Sequence, residues 1–262
     1  MRITGVVAPT VAARMAERMF FTPPRPPLRP AERAVLDTAE RFAVGVDTVA
    51  YAWGGAADPV VLLVHGWGGH AGHLAGFVEP LVAAGYRPIA LDLPGHGTTP
   101  RGRTSLVHFA RAVRAAADRT GPVHGVVAHS FGAAAVTFAL ARGLPVERAV
   151  FVSPSARFEG YWAWFRAAVG VSDRVWVRLR RHSEGWLGVS YDDIHPVGYL
   201  AEMTVPLLVV HSADDREVPL GEGKEIVAGW AGATLREVDG LGHLRILRDQ
   251  NTQAEAVTFL TG

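Results

Sequence analysis

The chain has 262 residues, of which 49% are hydrophobic and 19% are charged, and this composition excludes a disordered chain or a coiled coil. Its 26 basic and 25 acidic residues leave a net charge of +1, so we expect no nucleic-acid partner and no overall attraction to an acidic membrane. Cysteine is absent, which excludes a thiolate nucleophile, disulfides and thiolate metal sites. No apolar run reaches the roughly 18 residues that cross a bilayer, so we expect no membrane span and a cytoplasmic location.

The N-terminal segment, residues 1–39, is predicted to lie outside the main fold. A short amphipathic helix is indicated by apolar side chains at helical spacing, namely Val11, Met15, Met19 and Phe20. The proline-rich residues 23–30 cannot continue that helix, because proline donates no backbone hydrogen bond, and they are predicted to be an extended arm. We expect the helix and the arm to pack on the body of the protein. A lip over a binding site or a surface anchor is the alternative.

From residue 40 onward, strand and helix patterns alternate. Short apolar or alternating runs predict strands at 41–44, 48–53, 60–64, 88–91, 123–128, 149–152 and 207–210. Longer runs with helical periodicity predict helices at 73–84, 105–119, 131–142, 220–230 and 250–260. Strands that alternate with helices form parallel crossover units, so the predicted fold class is α/β with a mostly parallel, doubly wound sheet. We assign this core to residues 40–153 and 204–262.

Residues 154–203 interrupt the alternation, because they contain no buried strand pattern. The aromatic residues in this interval are Tyr161, Trp162, Trp164, Phe165, Trp176, Trp186, Tyr191 and Tyr199. We predict a small helical cap, inserted between the strands near residues 150 and 207. Open α/β sheets bind ligands at the carboxyl ends of their strands, and the cap is expected to cover that edge.

A serine lies at the junction of a predicted buried strand and a predicted helix, within residues 128–132 (AHSFG). A nucleophile on such a tight strand–helix turn needs small residues two positions before and after it, because larger side chains clash there. Ala128 and Gly132 meet this requirement, although Gly-x-Ser-x-Gly is the usual pattern. The pattern favours Ser130 as a nucleophile, and the alternative is a serine that caps the helix.

Three further motifs accompany this serine turn. Residues 65–69 (HGWGG) and 92–97 (DLPGHG) each follow a predicted strand, and the third motif is the pair 211–219, after the predicted strand at 207–210, with 240–243. Together with the serine turn, they resemble the α/β-hydrolase family from about residue 51 to the C-terminus. The resemblance implies an α/β-hydrolase core with a helical cap, similar to serine esterases and lipases. Chain order agrees with it, since a serine, an acid and a histidine follow one another as the family's nucleophile, acid and base.

The resemblance also assigns roles to individual residues. Ser130 is expected to be the nucleophile and His243 the base that accepts its proton, while Asp215 orients the histidine. The acid is placed by aligning the family pattern His-Gly-x-x-Asp-x-x-Val-Pro with residues 211–219. Ser212 stands where that pattern has glycine, and Asp214 is the alternative acid.

Two expectations concern groups around the nucleophile. The resemblance assigns the oxyanion hole to the backbone N–H groups of Trp67 and Phe131, and it implies no cofactor. His65, His70 and His73 are close in sequence, but glycines separate them and no carboxylate joins them, so no metal site is predicted.

The expected substrate is a small-molecule carboxylic ester, small to medium in size and apolar, cleaved through an acyl-enzyme. The expected pocket residues are Trp67, Trp162, Trp164 and Trp186, unless the cap aromatics form the cap's own core. Lactonase, thioesterase, C–C bond hydrolase and cofactor-free perhydrolase activities stay open on the same triad. A non-catalytic binding protein is the alternative of another class. Haloalkane dehalogenases and epoxide hydrolases are excluded, because they have Asp at the position of Ser130. No oligomeric state follows from the sequence.

Overall fold

The computed structural model describes residues 9–262, in which eight strands form a single sheet. The strands are β1 (Glu40–Val44), β2 (Thr48–Ala52), β3 (Val60–Val64), β4 (Arg87–Asp92), β5 (Val123–His129), β6 (Val146–Val152), β7 (Leu207–Ser212) and β8 (Ala233–Val238). Their order across the sheet is β1-β2-β4-β3-β5-β6-β7-β8. The pairs β1–β2 and β2–β4 are antiparallel, and the remaining pairs are parallel. The predicted fold class is confirmed.

Helices cover both faces of this sheet. In chain order, the helices of the described residues are α1 (Pro9–Phe21), α2 (Pro30–Leu36), α3 (Val78–Ala83), α4 (Leu106–Thr120), α5 (Phe131–Leu140), α6 (Glu159–Val169), α7 (Asp173–Leu187), α8 (Leu220–Gly229), α9 (Gly242–Arg245) and α10 (Gln250–Thr261). On one face α4 packs against α5, and on the other α10 packs against α3. The central strand β3 is buried along its whole length, which explains its continuous apolar run.

Three elements differ from the sequence prediction. The helix expected at 73–84 is a 3-10 helix, Ala71–Phe77, followed by the short helix α3, whose Pro80 lies in the first turn where no N–H is needed. Helix α2 was not predicted, and it begins at Pro30, a residue that favours the first helical position. Strand β8 was also not located. It lies at the edge of the sheet and is largely exposed, so it lacks a continuous apolar run.

The segment between β6 and β7 is helical. It contains α6 and α7, followed by three short 3-10 helices, Asp192–Ile194, Pro196–Gly198 and Leu200–Glu202. The N-terminal helix α1 packs against α7, and its Phe20 ring lies 4.8 Å from the ring of Phe165. The N-terminal segment is therefore packed on this helical layer. No helix within residues 9–262 is long and apolar enough to cross a membrane.

Candidate active site

Ser130 occupies the sharp turn between β5 and α5. Its φ of 52° and ψ of −122° are strained for a residue with a side chain, and the residue is buried. Helix α5 approaches the preceding loop closely at Gly132, where a Cβ would lie 2.4 Å from the carbonyl oxygen of His65. The small residue in the motif is thus required by a backbone contact.

A histidine–carboxylate pair lies at the same edge of the sheet. The Nδ1 of His243, at the start of α9, is 2.7 Å from Oδ2 of Asp215, and both residues are buried. The other carboxylate oxygen of Asp215 accepts hydrogen bonds from the N–H groups of Glu217 and Val218, at 2.9 and 3.0 Å. Burial acts to raise the pKa of Asp215, but the hydrogen bond with His243 and those from the two N–H groups outweigh it and lower the pKa to about 2. The ionised carboxylate holds the proton on Nδ1 and leaves Nε2 free to accept one.

The neighbouring Asp214 has different partners. Its Oδ1 accepts hydrogen bonds from the Ser212 hydroxyl at 2.5 Å and from the Gly242 N–H at 3.0 Å. The Ser212 Oγ also accepts hydrogen bonds from the N–H groups of Leu241 and Gly242, at 3.2 and 3.0 Å. Ser212 and Asp214 therefore hold in place the loop that carries His243, while Asp215 contacts the imidazole itself.

Two further histidines support these loops. The Nε2 of His129 is 3.0 Å from the carbonyl oxygen of His243, and the Nε2 of His211 is 3.0 Å from that of Val218. Burial lowers the pKa of both histidines, so each is neutral and donates from Nε2. They anchor the peptides that carry the histidine and the acid.

The loop after β3 lies against the serine. A Cβ on Gly66 would be 3.0 Å from the Cβ of Ser130, and the Trp67 ring is 5.3 Å from the Phe131 ring. The loop is held by His96, whose Nε2 accepts a hydrogen bond from the Gly68 N–H at 2.9 Å. Phe131 begins α5, so its N–H is one of the donors that a helix start leaves free. The two N–H groups expected to form the oxyanion hole belong to segments that flank Ser130.

A cavity of about 1330 Å³ joins these groups. Ser130 and His243 both line it, and within the described chain no hydrogen bond joins them, an arrangement common before a substrate binds. Aromatic residues form much of its wall: Trp67, Phe131, Phe158, Tyr161, Trp162 and Trp164.

Trp186 does not line this cavity, and its predicted role in the pocket is wrong. Its ring stacks on His108 at 4.6 Å and meets the Phe21 ring edge-on at 5.2 Å. The Arg103 guanidinium lies 4.6 Å above the same ring. Helix α7 directs this side chain toward α1 and α4, so it joins the helical layer to the core.

The proline-rich arm also lines the cavity, which is the lip that the sequence left as an alternative. Pro24, Pro26 and Pro27 contribute to the wall. Arg25 fixes the arm by donating to the carbonyl oxygens of Gly95 and Pro100, each at 2.9 Å. The sequence signal was the proline run itself, but a proline run does not indicate where the arm packs.

Two polar residues near the pair were not predicted. Ser212, noted only as a departure from glycine, proves to fix the histidine loop. The exposed Glu217 places Oε2 3.9 Å from Nε2 of His243, on the side of the imidazole away from Asp215. Within residues 9–262, no group of three or more histidine or acidic side chains is arranged to hold a metal ion.

A family model described as the alpha/beta hydrolase family matches residues 61–256. Human protein ABHD8 is 25% identical over 242 residues, which cover 76% of this chain and 54% of that protein, so this chain spans about half its length. A relative from Dechloromonas aromatica, named 2-hydroxy-6-oxononadienedioate/2-hydroxy-6-oxononatrienedioate hydrolase 1, is 29% identical, covering 72% of this chain and 82% of its own.

Solved structures share the fold. A putative lipase from Acinetobacter baumannii AYE has a TM-score of 0.67 at 16% identity, covering 88% of this chain and 93% of its own. The monoacylglycerol lipase of Paleococcus ferrophilus has a TM-score of 0.65 at 21% identity, covering 85% of this chain and 98% of its own.

Proposed function

Because the chain belongs to the alpha/beta hydrolase family, we propose that it is a serine-dependent hydrolase that cleaves carboxylic esters through an acyl-enzyme. One observation carries the proposal. Ser130, on its strained turn, and His243 line a single cavity, and the ionised carboxylate of Asp215 lies against the far side of the imidazole. A serine hydroxyl is a poor nucleophile unless a neighbouring base accepts its proton, and this arrangement provides that base.

The proposed reaction has two halves. As the Ser130 oxygen attacks the ester carbonyl, Nε2 of His243 takes the hydroxyl proton and then gives it to the leaving alcohol. Asp215 stabilises the imidazolium that forms between these transfers. Water then attacks the acyl-enzyme while the same Nε2 takes its proton, and that proton returns to the Ser130 oxygen as its bond to the acyl group breaks and the acid is released.

The negative charge on the substrate oxygen needs donors that are already in place. The backbone N–H groups of Trp67 and Phe131 are the proposed oxyanion hole, since they belong to the two segments packed beside Ser130. Removing one such donor typically costs about 2.7–4 kcal/mol of transition-state stabilisation. Because both donors are main-chain groups, replacement of the Trp67 side chain tests the shape of the pocket.

The cavity wall favours apolar esters of small to medium size. Its aromatic side chains offer apolar contact, and the adjacent rings of Trp67 and Phe131 narrow the space beside the serine. We therefore expect esters of bulky tertiary alcohols to be poor substrates.

Hydrolysis of a C–C bond is the second candidate. The Dechloromonas aromatica relative is named for a dienedioate. Arg216 on the cavity wall forms no ion pair with another described residue and could receive a substrate carboxylate. Turnover of such a diacid, with p-nitrophenyl esters left untouched, would select this reaction.

The proposal is tested by replacing the nucleophile and measuring hydrolysis of p-nitrophenyl esters. Ser130→Ala should lower kcat by about four to six orders of magnitude, the scale of a lost triad member. Ser153→Ala is the matched control. Ser153 is buried and has a φ of 47°, but it lies outside the cavity wall, so turnover should persist. A wild-type protein that binds esters without cleaving them would instead be the non-catalytic binding protein.

A further inference from the structure

Helix α1 carries a second apolar line, which no other part of the described chain covers. Val11, Met15 and Met19 recur at i, i+4 and i+8, and they are 57%, 44% and 50% exposed. The opposite side of the helix is buried in the protein through Ala12, Ala13, Ala16 and Phe20. The helix thus has one apolar face in the core and another in contact with solvent.

The exposed line continues onto helix α6. Phe20, next to Met19, places its ring 5.4 Å from that of Tyr161, which stacks on Trp164 at 5.7 Å. Tyr161 and Trp164 are 42% and 62% exposed, yet both also line the large cavity. The apolar rim, as we call Val11, Met15, Met19, Tyr161 and Trp164, therefore borders the mouth of the proposed active site.

A basic groove runs along α1 beside the exposed apolar line, on the side of the helix that carries Arg14 and Arg18. It is lined by Arg14, Arg18, Arg101, Arg103 and His182, together with Glu17. Glu17 is 1% exposed and is already paired with Arg103 and His182. Among the described residues, no carboxylate forms an ion pair with Arg14, Arg18 or Arg101.

A partner that binds this surface should match both the apolar rim and the basic groove. Exposed methionines and aromatic residues lie beside arginines on this face. An arginine can lay its aliphatic stem along apolar surface and keep its charge in a polar layer, so this combination matches the boundary between lipid chains and headgroups. Three arginines without a carboxylate partner among the described residues indicate that this boundary is an anionic one. The net charge of +1 conceals this groove, because the balancing acids lie elsewhere.

We propose that the apolar rim and the basic groove dock the protein on the surface of a bilayer that contains anionic phospholipids. Tyr161 and Trp164 enter the interface, and the cavity mouth faces the lipid. A consequence, which rests on the proposed function, is that esters dissolved in the bilayer reach Ser130 through this mouth.

Docking is tested by co-sedimentation with vesicles of phosphatidylcholine, with and without phosphatidylglycerol. The wild-type protein should bind the anionic vesicles, and salt should weaken the binding. Arg14→Gln/Arg18→Gln should weaken it by about fivefold per arginine. Met15→Glu/Met19→Glu should abolish it. Because all four side chains are exposed, the melting temperatures of both variants should hardly change. If the methionine variant fails to fold, the binding of the arginine variant still tests the docking proposal.

Matched controls remove the same features elsewhere. Lys224→Gln/Arg236→Gln deletes two positive charges near the edge strand β8, and Val82→Glu charges an exposed apolar residue on α3. Both controls should bind like the wild type. Equal binding of all variants, or no wild-type binding to anionic vesicles, would overturn docking. So would a dimer in solution that Met15→Glu/Met19→Glu dissociates, because the rim would then contact a second copy.

The catalytic consequence is measured separately. Ser130→Ala should bind vesicles like the wild type, so failure of the proposed hydrolysis leaves the docking result readable. Met15→Glu/Met19→Glu should hydrolyse p-nitrophenyl acetate in solution at the wild-type rate, but a vesicle-held ester more slowly. Equal loss on both esters would contradict a role limited to docking.

Discussion

Two adjacent aspartates at the candidate site have different surroundings. Asp215 is buried and contacts the imidazole of His243, whereas Asp214 is exposed and contacts the loop before it. Hydrogen bonds from Ser212 and Gly242 lower the pKa of Asp214. Both carboxylates are therefore charged at neutral pH. Their roles differ because only Asp215 lies against the imidazole of His243.

This difference gives a paired prediction. Asp215→Asn should lower kcat by about four orders of magnitude, because an amide at this position favours the wrong histidine tautomer. Asp214→Asn should cost about tenfold or less, since its amide oxygen can still accept the Gly242 hydrogen bond. Steady-state kinetics with melting temperatures as the folding control check both. Equal losses, or a larger loss for Asp214→Asn, would show that the acid is assigned to the wrong residue.

At the scale of elements, the wall over the serine is assembled from three separate parts of the chain. The core contributes the loop after β3, the segment between β6 and β7 contributes α6, and the N-terminal arm contributes its prolines. Arg25 fixes the arm through main-chain carbonyls of residues 95–100. Selectivity for the acyl group should accordingly depend on all three.

Substitution of two tryptophans in the helical segment should have different effects, one on substrate selectivity and the other on stability. Trp162 lines the cavity, so Trp162→Ala should change the preferred acyl length on p-nitrophenyl esters. Trp186 packs between α7 and the core but is only half-buried, so Trp186→Ala should cost about 3 kcal/mol of unfolding free energy, the low end for such a change, and leave the chain-length profile unchanged. Denaturant unfolding and the chain-length profile are measured on both variants. A shift in the profile from Trp186→Ala alone would contradict this division.

At the scale of the whole molecule, the fold class could be predicted because buried strand patterns alternate with helical patterns along the chain. The carboxyl ends of parallel strands meet at one edge, which places the serine turn and the acid loop together, and the resemblance to the α/β-hydrolase family added His243 to the same expected site. Strand β8 could not be located, since an exposed edge strand carries no buried run.

Packing between distant segments was the part that local patterns could not predict. Trp162 and Trp186 lie in neighbouring helices of one segment, and only the tertiary structure shows that one faces the cavity and the other faces α1. The role of Ser212 was likewise not predictable from local patterns. Its bonds to the histidine loop join residues 29 and 30 positions apart, which no motif encodes.

The most direct test of an acyl-enzyme mechanism is titration with a p-nitrophenyl alkylphosphonate, followed by peptide mapping. Such a phosphonate forms a stable adduct with an activated serine and releases p-nitrophenol. We predict release equimolar with the enzyme, complete loss of ester hydrolysis, and the phosphonyl group on Ser130. An enzyme that hydrolyses esters but carries the phosphonyl group on another side chain, or is not inactivated at all, would contradict the proposed mechanism.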